Sequence, residues 1–177
     1  ERAWTERGPA YAALAAKYHV IAIDCRGHGK SGKPRDPKQY GPEMALDIVR
    51  LMDHLHIAKA HIVGYSMGGP ISFLVQKRHP ELVSGMVFQA TAMEWSGTSK
   101  ERARWRISRV MEPLVRRFVT PRSLRWVVGR AVPRGHELAR FAPWLIGEIR
   151  RNDPWMISEA GHAISRFDAR PFADSIS

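Results

Sequence analysis

The chain has 177 residues, 44% of them hydrophobic and 25% charged, with a formal net charge of +11. This is the composition of a folded globular protein; it excludes collagen, a long coiled coil and a disordered chain, and the length suits one domain with at most a subdomain. No apolar run is long enough to cross a membrane as a helix, and a lone cysteine, Cys25, excludes an internal disulfide and fits a reducing, cytoplasmic setting.

In chain order, Glu1-Arg2-Ala3-Trp4 carries no basic-then-apolar signal segment, and the missing initiator Met fits a processed product or a fragment. Ala10, Tyr11, Leu14, Ala15 and Tyr18 recur at helical spacing. His19-Val20-Ile21-Ala22-Ile23-Asp24 is β-branched and apolar, which predicts a buried strand, and Arg26-Gly27-His28-Gly29 predicts the turn after it. Residues 30–42 read as a loop. Pro42-Glu43 opens a helix whose apolar stripe is Met44, Ile48, Leu51, Met52 and Leu55. His61-Ile62-Val63-Gly64 predicts a strand, Gly68-Gly69-Pro70 a helix that ends before Pro80, and Val83–Ala90 a further strand. Short apolar strands separated by helices imply an α/β fold with a parallel sheet covered on both faces.

Residues 91–177 read as wholly helical. Four stripes stand out: Ile107 to Phe118, Leu124 to Ala131, Leu138 to Ile149 and Ile157 to Phe167, with breaks at Pro121, Pro133 and Pro154. This half holds 16 of the 28 basic residues, all but one of them arginine. Solvated helix faces are one reading of that charge, and an anionic ligand, membrane surface or nucleic acid the other. No zinc-finger, helix-turn-helix or RNA-binding signature accompanies it, so nucleic acid is not expected as a partner. The histidines lack metal-ligand spacing, so no metal is expected, and no cofactor either.

The segment that carries chemistry is Gly64-Tyr65-Ser66-Met67-Gly68-Gly69. It contains Gly-x-Ser-x-Gly. Chance gives the bare pattern in about one of thirteen chains of this composition, so its setting has to support it, and a predicted strand does precede it and a helix follow. A tight strand-to-helix turn lifts the Ser66 hydroxyl clear of the sheet on backbone expected at positive φ. Gly64 and Gly68 are expected to lack the Cβ that would collide there. The Met67 N–H, at the helix N-terminus, is expected to face the oxygen on which negative charge develops.

These residues, together with Val20–Ser31 and His79-Pro80-Glu81-Leu82-Val83, resemble the α/β-hydrolase family. The resemblance covers residues 18–90 well. It implies a partial hydrolase core over residues 1–92, a helical lid over 93–168 and a return to the core at 169–177. It implies Ser66 as nucleophile toward a small acyl compound, an ester or a relative, through a tetrahedral intermediate and an acyl-enzyme. Serine at this position disfavours the family's epoxide hydrolases and dehalogenases, which carry Asp there. The family's oxyanion loop is expected upstream of Trp4, and its acid and histidine after Ser177, so the chain alone is expected to be inactive.

The residues present fit the missing roles poorly. His28 is a turn residue. His54, His56, His61 and His79 read as surface, strand-entry or helix-end positions, and His136 and His162 as solvated imidazoles on lid helices. Glu94 follows a strand and reads as a salt-bridged surface carboxylate. Asp24 reads as a cap or a partner of Arg26, and Cys25 as a buried, inert thiol. The tryptophans of the second half read as core or as an apolar acyl pocket. A non-catalytic binding module of the same fold is the alternative to the enzyme.

Overall fold

The computed structural model of the chain describes residues 2–6, 9–118, 142–152 and 154–175. Two short helices, α1 (Arg2–Glu6) and α2 (Ala10–Ala15), lead in. Helix α3 (Pro42–His54) follows, with Pro42 in its first turn beside the acidic Glu43. Strand β1 (Ala60–Tyr65), helix α4 (Gly68–Arg78) and strand β2 (Val83–Gln89) form a β-α-β unit. The strands pair in parallel, with Val63 opposite Val87 and Tyr65 opposite Gln89. The helix ends at His79, where Pro80 cannot supply the next N–H.

The core lies on α4. Ile71 and Val75 are buried with Tyr40, Met44 and Ala45, and Phe73 stacks on Phe88 at 4.2 Å. Below this layer Arg26 forks onto Asp47 of α3, at 2.6 Å through Nε and 2.5 Å through Nη2. Val63, Tyr65 and Val87 remain 46–57% exposed, so the expected cover on both faces of the sheet holds for one face among the described residues.

The strand expected at 19–24 is not one. The segment belongs to no strand or helix, and Ile21 is exposed. A β-branched run becomes a strand only where a neighbour accepts and donates across its edge, and no described strand stands beside it.

The second half is mostly helical where it is described, but not wholly so: residues 91–98 form a loop before the first of its helices. Helix α5 (Ser99–Phe118) begins in a capping box: the Thr98 hydroxyl accepts from the Glu101 N–H, and the Glu101 carboxylate accepts from the Thr98 N–H at 2.9 Å. Helices α6 (Ala142–Arg151) and α7 (Pro154–Ser165) follow, and Pro154 opens the last rather than merely separating two. The stripe expected at 124–131 and the start of the third lie outside the described residues. Helix α7 sends Met156 and Ala160 into the core beside Tyr40 and Met44. The two ends of this half meet: Glu94 and Asp168 form an isolated antiparallel bridge, and the Ala169 N–H donates to the Met93 carbonyl at 2.8 Å.

The tryptophans here pack and cap. Trp155 meets Tyr40 edge-on with Arg35 above it, Trp105 donates to the Trp95 carbonyl, and Trp144 donates to Glu6. Trp126 and His136 lie outside the described residues.

His162 corrects the expectation of a solvated imidazole. It is 6% exposed, edge-on to Trp105, because its position on α7 faces α5 rather than water. Burial first, then the nearby Arg109 cation, hold its pKa below the ordinary 6.5. The unfolded chain therefore takes up a proton near pH 6.5 that the folded protein refuses. Stability is expected to fall as pH drops through that value, until the folded imidazole also protonates. Urea titrations at several pH values check this, and His162→Gln is expected to make the slope shallower.

Candidate active site

Ser66 sits in the turn between β1 and α4, outside both elements. Its φ is +50°, a left-handed conformation that a non-glycine residue holds only where its surroundings over-determine it. The surroundings do so here. The Ser66 N–H donates to the Gln89 carbonyl at 2.9 Å, extending the β1–β2 ladder by one residue, and the Ser66 carbonyl accepts from the Gly69 N–H at 3.0 Å. One residue after Gln89, Ala90 also stands at φ +50°. Two non-glycine residues in left-handed backbone thus lie together at the carboxyl ends of parallel strands, the edge at which open α/β sheets bind ligands.

The glycines around the turn divide differently from the expectation. A Cβ on Gly64 would stand 2.7 Å from Ser72 Oγ and 2.8 Å from the Gly68 carbonyl oxygen, so this position has to be glycine. The Ser72 hydroxyl that presses there is held by its bond to the Gly68 carbonyl, 2.8 Å. Gly68 itself, expected to be under the same constraint, faces open space. The second tight position is Gly69, where a Cβ would overlap Thr91. The helix turns its next residue, not its first, toward the end of β2. Sequence reasoning passed over Gly69 because the close approach is made by Thr91, a residue distant in the chain.

Thr91 Oγ1 is buried without a hydrogen-bond partner among the described residues. Thr91→Val is expected to be neutral or to stabilise by about 1 kcal/mol, as a methyl replaces an unpaired hydroxyl. Thermal melting reads the difference.

Met67 is the N-cap of α4 with helical backbone, φ −54°, and its side chain packs against the core while its N–H lies at the positive end of the helix. Among the described residues no hydrogen bond joins the Ser66 hydroxyl to a histidine or a carboxylate. His28 is held in its turn by Nδ1 at 3.2 Å from the Arg26 carbonyl, and burial lowers its pKa. Asp24 caps the same turn, accepting from the Lys30 N–H at 2.9 Å, while Arg26 is committed to Asp47. Burial raises the Cys25 thiol, so it is poorly ionised and inert. Glu94 binds Arg170 at 2.8 Å, the salt-bridged role expected of it. The described residues bring together no group of three or more metal-ligating side chains.

One link had no sequence signal. Asn152, at the end of α6, accepts from the Gly29 N–H at 2.8 Å and donates to the Glu148 carbonyl at 2.9 Å, tying the helical half to the turn after Asp24.

Ser66 thus stands at positive φ between a parallel strand and a helix, on a turn walled by a position that has to be glycine. The chain belongs to the α/β hydrolase fold family, whose model matches residues 3–127. Eighty residues are 42% identical to the dihydrolipoyllysine-residue acetyltransferase component of the acetoin cleaving system of Pseudomonas putida, covering 45% of this chain and 21% of that protein. Eighty-five residues are 36% identical to epoxide hydrolase B of Mycobacterium tuberculosis, covering 48% of this chain and 23% of that protein. The crystal structure of the enol-lactonase from Burkholderia xenovorans LB400 superposes with a TM-score of 0.73 at 28% identity, over 96% of this chain and 63% of that one. The chain therefore spans less than two thirds of the length of each of these relatives.

Proposed function

We propose that this chain is the nucleophile-bearing part of a serine hydrolase acting on an ester or related acyl compound. The observation that carries the reading is Ser66 at φ +50° on the strand-to-helix turn. The strained turn holds Oγ out from the sheet. Oγ attacks the acyl carbonyl, its proton passing to a general base, and the carbonyl oxygen gains negative charge beside the Met67 N–H. Collapse expels the alcohol, and water then hydrolyses the acyl-enzyme. Serine as nucleophile favours this acyl route over epoxide opening. The base and the acid that orients it are read from the family resemblance as following Ser177, and none of the described histidines or carboxylates meets Ser66.

The domain reading that goes with it takes residues 1–92 as core and 93–168 as a helical lid. The bridge between Glu94 and Asp168 supports it, because it closes the helical insertion at its base. No helix among the described residues is long and apolar enough to cross a membrane. The substrate is a small molecule, and a reducing compartment is read from the single Cys25.

Fluorophosphonate labelling of the gene product as the cell makes it, followed by digestion, tests the chemistry: the adduct is expected on the peptide containing Ser66. Its absence there refutes the enzyme. The isolated 177-residue chain is expected to hydrolyse p-nitrophenyl esters at background rate. Losing triad members typically costs several powers of ten, so a rate typical of family enzymes would show that the base lies within these residues.

The second reading, a binding module that keeps the fold without turnover, draws on the lack of any described histidine or carboxylate at the Ser66 hydroxyl. The sequence flanking the chain discriminates: a binding module lacks an acid and a histidine in the strand loops that follow.

A further inference from the structure

The helix α5 presents a surface that the reading of Ser66 does not use. One side of it is anchored. Trp105 lies edge-on to His162 of α7 at 5.9 Å, and Arg109 reaches Glu159 of α7 at 3.5 Å. Trp105 and Arg109 are one turn apart and define the face turned toward the protein.

The opposite side is apolar and open. Ile107, Val110, Met111 and Leu114 follow the i, i+3, i+4, i+7 spacing of a single helical face, about half a turn around from Trp105. They are 62%, 72%, 43% and 50% exposed. Exposed apolar residues scattered singly need no explanation, but a continuous stripe of branched and long aliphatic side chains over two turns does.

The margins of the stripe are cationic. By helical position Arg104 borders one edge and Arg106 and Arg117 the other, and all three are exposed. Over its whole length the helix carries seven basic residues against two acidic ones. An amphipathic helix with low overall hydrophobicity, an apolar face and arginine margins is built to lie in the plane of a membrane interface.

We propose that α5 docks the protein on an anionic lipid bilayer, with Ile107, Val110, Met111 and Leu114 seated at the acyl boundary and the flanking arginines on the head groups. The charge selects this occupant. A neutral protein partner would cover the stripe and leave the arginines without counter-charges. Nucleic acid would meet the arginines but bring nothing apolar to the centre of the footprint.

Co-sedimentation with vesicles tests this. The purified protein is mixed at physiological salt with vesicles of equal parts phosphatidylcholine and phosphatidylglycerol, or of phosphatidylcholine alone. Partition onto the anionic vesicles is expected to be at least about tenfold stronger and to weaken as salt rises. Val110→Glu with Leu114→Glu is expected to lower it about tenfold or more with the melting temperature unchanged, since both side chains face solvent. Arg104→Glu with Arg106→Glu is expected to lower binding to the anionic vesicles by at least about tenfold. Equal partition onto both vesicle types overturns the proposal, and so does binding that survives Val110→Glu with Leu114→Glu. A large fall in melting temperature in that variant also overturns it, because it shows the stripe to be packed within the protein. Arginine-dependent retention of duplex RNA without vesicle binding assigns the surface to nucleic acid instead.

Discussion

Ser66→Ala is expected to remove fluorophosphonate labelling completely and to lower ester hydrolysis by the active form of the protein by at least about 10³-fold, since the variant retains only binding and oxyanion stabilisation. The fold does not depend on the hydroxyl, so the melting temperature of this variant stays near that of the parent. Ser66→Gly separates the two roles of the position. Its hydroxyl is lost as well, but glycine occupies φ +50° without the steric cost carried by any residue with a Cβ. Ser66→Gly is therefore expected to be as inactive as Ser66→Ala and more stable than it by about 1 kcal/mol or more. Labelling, turnover and urea denaturation of the two variants check this. Equal stability would mean that the turn is not strained at Ser66, and the case for a nucleophile elbow would lose its main support.

The second large effect is on stability. Gly64→Ala places a Cβ 2.7 Å from Ser72 Oγ and 2.8 Å from a backbone oxygen, and the backbone cannot step aside without opening the turn. A loss of about 1–3 kcal/mol is expected, from over-packing. Gly68→Ala meets nothing within 4 Å and sits at the start of a helix. It is expected to be neutral or to stabilise by up to about 1 kcal/mol through helix propensity. Chemical denaturation of the pair distinguishes a steric requirement from the glycine pattern. Equal losses at both positions would show the pattern, and not the contact, to be what matters.

Much of the region from Pro42 to Gln89 is legible in the residues because its signals are local. The apolar stripe from Met44 to Leu55 has a helical period, and Pro42 and Pro80 punctuate it and the helix that follows. The β-branched run before Ser66 and the glycines around it specify a strand and a sharp turn. The Ser66 reading needed only that short stretch. The segment 19–24 shows the limit of this kind of signal: its side chains favour a strand as strongly as those of β1, but β1 pairs with β2 and no described strand lies beside 19–24.

What the residues alone establish is therefore the order of elements from α3 to β2, the turn that carries Ser66 and the resemblance to α/β hydrolases, since each rests on neighbours within a few positions along the chain. The folded protein settles the rest. It commits Arg26 to Asp47 and not to Asp24, makes Gly69 and not Gly68 the second tight position, buries His162 against Trp105, and leaves the aliphatic stripe of α5 uncovered. Each of these depends on which distant segment arrives alongside, and close approach between segments far apart in sequence leaves no periodicity to read.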